Sequence, residues 1–400
     1  MNATRRITCF VILAIASAGL SACGGGGGGG GSVASPTPQA PASTIITKVA
    51  GLDNAQETTG STSTGVGGGV LSVDTATGGV TGFVVGTGVI GATQAHVHTG
   101  ARGVAGPITV PLAGGPDLWF VPDDAAPLAA ADIAAFEAGN MYFNIHNADF
   151  PGGAIRGQLD ITPTAVELAA LDNTQETTGS NSTGVGGGIL GVDTATGRVG
   201  GFAVSTGVIG ATQAHVHTGA RGVAGPITVP LVGGPDLWFV PDGAAALAAA
   251  DISAFTAGNM YFNIHNADFA GGAIRGQLDK GPTAFRFAFL DNTQETTGST
   301  STGVGGGILG VDTATGKVAG FAVSAGVIGA TQAHVHTGAR GVAGPITVPL
   351  VGGPDSWFVP DGAASLAAAD ITAFDAGNMY FNIHNADFAG GAIRGQLDHP

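Results

Sequence analysis

The chain has 400 residues, with 28 acidic against 13 basic side chains and a formal net charge of −15. A surface this acidic repels phosphate backbones, which argues against nucleic acid as a partner. Both cysteines, Cys9 and Cys23, fall in the first 23 residues. The remainder therefore offers no thiolate metal site, cysteine nucleophile or iron–sulfur cluster, and its stability must come from packed cores.

Residues 1–22 read as a processing signal. Arg5 and Arg6 precede an apolar run from Cys9 to Leu20, which is too short for the roughly 20 residues that span a bilayer. "LSAC" (Leu20 to Cys23) resembles a bacterial lipobox, which implies cleavage before Cys23 and lipidation of that residue. The expected address is the cell envelope, lipid-anchored, at the outer membrane or cell surface, because Gly24 is not the Asp associated with inner-membrane retention. Residues 23–44 then form a tether: an unbroken glycine run to Gly31, followed by Ser-, Pro- and Ala-rich chain. The first part predicts a flexible coil and the second a stiffer, extended spacer.

From there the chain repeats with a period of 119 residues. "LDNAQETTGS" at Leu52 returns as "LDNTQETTGS" at Leu171 and Leu290, and Trp119 returns as Trp238 and Trp357. The period is domain-sized, unlike the shorter repeats of solenoids. The reading is three separate domains, 45–162, 163–282 and 283–400, joined by short linkers near "ITPTA" (161–165) and "KGPTA" (280–284). Each domain should be able to fold alone as a monomer.

Within each domain the elements are mostly strands. "GGVLSVDTATGGVTGFVV" predicts a hairpin around a plain "DTATG" turn, which has too few carboxylates for a calcium loop. "QAHVH", "PITVPL", "LWFV", "NMYFNIHN" and "AIRGQLD" predict further strands, with one short helix over Ala129–Asn140. The fold class is all-β: three tandem antiparallel β-sandwiches, each with one short helix. Trp119 reads as a core plug in preference to an exposed platform for a sugar.

Nine of the ten histidines recur in a fixed pattern, His96, His98 and His146 in the first repeat. Side chains alternate along a strand. Met141, Phe143 and Ile145 therefore share one face, and Tyr142, Asn144 and His146 the other. Gln94, His96 and His98 lie together, as do Arg156 and Gln158. Two histidines two residues apart on a strand lie about 6.5 Å from each other, close enough to share an ion with a third from a neighbouring strand. The candidate ligand sets are His96, His98 and His146; His215, His217 and His265; and His334, His336 and His384. An all-imidazole set suits copper, then zinc. The alternative is a hydrogen-bonded polar layer without metal. Around each set stand Arg156, Arg275 and Arg394; Asn144, Asn263 and Asn382; and Glu57, Glu176 and Glu295. The arginine is expected at the edge, drawing an anion to an open coordination position, or paired with the glutamate. Hydrolase chemistry is poorly supported, because there is no helical HExxH and no paired acids.

"HVHTGARGVAGPITVPL" followed by "AGNMYFNIHNADFPGGAIRGQL" resembles the CHRD domain, named from chordin, with "LDNAQETTGS" resembling that family's opening segment. The resemblance covers all of each repeat. It implies an immunoglobulin-like β-sandwich outside the cell. Three copies on a lipid-anchored tether fit a non-enzymatic binding or structural module for a protein or glycan partner, because tandem copies raise avidity. The chain departs from the pattern where Ala154, Ala273 and Ala392 replace a Glu, and where Pro151 becomes Ala270 and Ala389. A fainter similarity to copper/zinc superoxide dismutase maps that family's copper ligands onto His96, His98 and His146, without its bridging histidine or zinc-site residues. This gives the second reading, a copper-binding envelope protein with dismutase-like or redox activity.

Overall fold

Alternating β-branched and small residues set the first repeat's strands. They are β1 (Ile45–Leu52), β2 (Val66–Asp74), β3 (Val80–Thr87), β4 (Ala92–Thr99), β5 (Ile108–Pro111), β6 (Ala113–Gly114), β7 (Leu118–Phe120), β8 (Met141–Asn147) and β9 (Ile155–Gln158). The computed structural model describes residues 45–398; the signal, the lipobox cysteine Cys23 and the tether lie outside the described residues. One sheet runs β1-β2-β3-β7-β6 and the other β5-β4-β8-β9, all antiparallel. The "DTATG" turn is a plain one: Gly78 takes φ +79° and donates to Asp74 O, while the Asp74 carboxylate caps Ala76 N–H and the Thr77 hydroxyl. The helix α1 (Ala130–Glu137) is shorter than the sequence suggests and buries Phe136 alone.

The two sheets close over Leu52, Leu71, Val84, Val97, Trp119, Phe136, Phe143 and Ile155. Trp119 is a core residue, its Nε1–H donating to Pro116 O at 3.2 Å. The second and third repeats reproduce both sheets, the helix and the core. The fold class is the expected one: three antiparallel β-sandwiches in tandem.

The repeats are not separate. The described residues, 45–398, fall in one compact unit, and a fourth core draws on all three copies: Val49, Val70, Phe83 and Phe120 from the first, Leu168, Ile189, Phe202 and Phe239 from the second, Phe287, Ile308, Phe321 and Phe358 from the third. At its centre Phe83, Phe202 and Phe321 stand with centroids 6.0–6.4 Å apart and rings nearly perpendicular, the favoured edge-to-face arrangement. Outside it, ion pairs run round a closed ring: Arg102 to Asp242, Arg221 to Asp361, and Arg340 back to Asp123.

This corrects the reading of independent domains on short linkers. A sheet with one wet face alternates apolar and polar residues, whereas a sheet buried on both faces does not. β3, "VTGFVVGT", sends Phe83 to the central core and Val84 to its own sandwich. In β2 the second apolar face is disguised as glycine. A Cβ on Gly69 would lie 2.7 Å from the Phe143 ring of its own sandwich, and one on Gly68 2.6 Å from Phe202 of the next repeat. The glycine run lets aromatic rings approach the strand from both sides, one of them in a neighbouring copy.

Candidate metal centre

The polar face lies on the β4-β8-β9 sheet. Register sets Gln94 opposite His146, His96 opposite Asn144 and His98 opposite Tyr142, and across the next pairing Arg156 opposite Asn144 and Gln158 opposite Tyr142. Alternation therefore brings the three imidazoles together. Ring centroids are 4.9 Å apart for His96 and His146, 5.5 Å for His96 and His98, and 5.6 Å for His98 and His146. One nitrogen from each ring falls within 4.8 Å of the others, and the same holds for His215, His217 and His265 and for His334, His336 and His384.

Hydrogen bonds decide which nitrogens face inward. His98 Nδ1–H donates to Gly106 O at 2.9 Å, and His146 Nδ1–H to Pro151 O at 3.1 Å. Each bond fixes the tautomer and leaves Nε2 unprotonated, an acceptor, the outer-shell arrangement typical of metal-ligating histidine. His96 Nδ1 lies 3.1 Å from His146 Nε2; with that tautomer it donates to it. His98 Nε2, like His217 Nε2 and His336 Nε2, is buried without any hydrogen-bond partner. A buried acceptor left unpaired costs about 1–3 kcal/mol.

The rings are also held neutral. Burial, and then the neighbouring imidazoles, push His146 down to about 4, and His265 and His384 behave alike. Burial also lowers His96 and His98. Neutral imidazole is the ligating form.

The surroundings differ from expectation. Arg156 is not at an edge. It is 1% exposed, and its guanidinium donates to Ala101 O at 2.8 Å, Val104 O at 3.0 Å and Gln158 Oε1 at 2.6 Å while lying 3.5 Å over the Tyr142 ring. Arg275 and Arg394 repeat this on Tyr261 and Tyr380. Three hydrogen bonds to protein and the Tyr142 ring occupy the buried fork, so it is not presented to an anion at an open coordination position. Neither does the arginine bond to Glu57: that carboxyl instead accepts from Asn144 Nδ2 at 2.8 Å, as Glu295 does from Asn382. Glu176 stands beside Asn263 next to Gly272, its Oε1 buried without a hydrogen-bond partner. Burial raises Glu57 and Glu295, and pushes Glu176 up to about 7. The physical reason is coverage. Asp53 pairs its backbone with Arg156 on the sheet edge, and the loop from Gly100 to Gly106 supplies carbonyls from above. The polar face is therefore a buried layer, not a wet surface.

Sequence reasoning undervalued Tyr142. It lies between His98, whose ring stacks on it at 5.0 Å and 13°, and Arg156, and its hydroxyl accepts Gly106 N–H at 3.1 Å. The alternation that found His146 also put Tyr142 on this face, but nothing local marks a phenol as a spacer. The two carbonyl partners are main-chain atoms, so side-chain identity carries no signal for them. That accounts for one departure in the repeats: Ala270 and Ala389, in place of Pro151, present the same carbonyl to His265 and His384 at the same 3.1 Å.

The CHRD domain model matches residues 49–159, 168–278 and 287–397, each span holding one sandwich and one histidine triad. The chain belongs to the CHRD-domain family. No curated protein and no solved structure matches it. In this CHRD protein the three matches leave only the ends and two short linkers uncovered.

Proposed function

We propose that this CHRD protein is a lipid-anchored, non-enzymatic module of the cell envelope whose three repeats each hold one transition-metal ion, copper before zinc, on a His₃ site. The observation that carries this reading is the buried, unpartnered Nε2 of His98, His217 and His336, facing two further imidazoles in the same pocket. A hydrogen-bonded polar layer would satisfy that atom, whereas here it faces the His96 and His146 rings without a partner. An ion would take the lone pairs of His98 Nε2, His146 Nε2 and His96 Nδ1, the last after its proton moves to Nε2. Imidazole-only ligation without thiolate or carboxylate suits copper(II), the strongest of the divalent series, ahead of zinc. Burial argues for holding the ion over turning over a substrate: in the first repeat the three histidines are 7–9% exposed.

The test is elemental analysis of the full chain after copper loading and desalting. Three coppers per chain are expected, falling to two in His98→Ala and to none when His217 and His336 are changed as well. Retention of copper in the triple variant would defeat the reading. The anchor is tested separately by fatty-acid labelling, which Cys23→Ser should abolish. An unlabelled native chain would remove the envelope assignment and leave the metal sites untouched.

A further inference from the structure

Where the three sandwiches meet, the central core opens at one end into a funnel of about 430 Å³. Its lining takes equivalent positions from all three repeats: Val85, Val204 and Val323 on the floor and Asp117, Asp236 and Asp355 at the rim. The funnel therefore belongs to the ring as a whole and to no single domain. It lies at the Thr87 end of β3. β1 begins at the opposite end, because Ile45 pairs with Asp74 while Thr87 pairs with Val66.

The chemistry is one-sided. Val204, Val323, Leu118 and Leu237 are members of the central core, so the funnel's base is its exposed underside. The three aspartates are solvent-exposed, and no lysine or arginine lines the funnel. Partial desolvation raises the Asp236 carboxyl. A bare metal ion does not fit: among the described residues only the histidine triads bring three ligand atoms within 4.8 Å of one another. On the same lining, Ser205 Oγ and Ser324 Oγ are buried without a hydrogen-bond partner. A volume of this order is that of a small-molecule site, apolar with a few placed polar groups.

We infer that the funnel binds one small organic ammonium ion per chain, its hydrocarbon part against Val85, Val204 and Val323 and its charge among Asp117, Asp236 and Asp355. The apolar floor supplies burial of the hydrocarbon, and the acidic rim selects the sign of the charge.

The experiment is calorimetric titration of the full chain with hexylammonium chloride, with 1-hexanol and hexanoate as isosteres. The expected result is one hexylammonium per chain. Hexanol should bind at least tenfold more weakly and hexanoate not measurably. The triple variant Asp117→Asn, Asp236→Asn and Asp355→Asn should weaken hexylammonium at least tenfold with an unchanged melting curve, because all three side chains are exposed. A stoichiometry of three would place the ligand on the individual repeats and overturn the inference. So would equal binding of hexanol, no binding of hexylammonium, or an unaltered affinity in the triple variant. Copper loading of the histidine sites is independent of every one of these outcomes.

Discussion

The histidine layer and the central core are both built three times over, and they tolerate difference unequally. In the layer every participating side chain is the same in each copy, and the key distance holds at 3.1, 3.0 and 3.1 Å from repeat to repeat. In the central core the copies diverge, chiefly on the first strand. Val49 is matched by Leu168 and Phe287, and Gly51 by Ala170 and Phe289. Small residues face large ones: the Phe239 ring sits against Gly51, whereas at the closing interface Phe289 packs on Phe120 at 5.3 Å. Hydrogen bonds need fixed lengths and angles, and an orphaned buried partner is costly. Apolar contact is non-directional and absorbs changes of shape when the neighbours repack. Agreement within the layer and variation within the core follow from that difference.

The strongest way to break this comparison is to remove the neighbours. A single repeat, residues 163–282, would expose Leu168, Ile189, Phe202, Val204, Leu237 and Phe239 on one sheet face. It should self-associate, a trimer being the closed solution, in sedimentation experiments. A soluble monomer at micromolar concentration would show that the fourth core is dispensable. Next in size is Phe202→Ala in the full chain, which removes one of the three central rings. It should cost about 3–5 kcal/mol in denaturant titration, as for other buried aromatic truncations, while the folded variant still takes up three coppers. Loss of copper alongside stability would mean that core and layer are not separable.

The smallest effect tests the first strand's charged position, where Lys48, Glu167 and Arg286 are equivalent. Lys48 and Arg286 donate to carbonyls at the end of their own helix, whereas Glu167 accepts Gly281 N–H in the following linker at 2.9 Å. Burial pushes the Glu167 carboxyl up to about 7, against the Gly281 N–H that holds it down. A folded value above the unfolded one means that the folded state keeps the proton longer. Stability from this group is therefore full below about pH 4.5 and is lost as pH rises through 7. Glu167→Gln should melt with the wild type in acid and above it at pH 8. A variant less stable at both ends would assign the carboxylate a favourable charge–charge role instead.

Much of this protein is legible in its residues alone. The 119-residue period, the sandwich class and the shared face of His96, His98 and His146 come from alternation and repetition, which are local properties of an extended chain. The reversal of Arg156 from an edge cation to a buried strut does not. It depends on where the Gly100–Gly106 loop lies, and the carbonyls that hold the guanidinium leave no trace in side-chain identity. The ring is hidden for a related reason. Glycines 67–69 make β2 look lightly packed, and only the arrival of Phe143 from one side and Phe202 from the other shows that the empty volume is filled. Periodicity assigns a side chain to a face. What covers that face is decided by residues a hundred positions away, through packing that has no periodic signature.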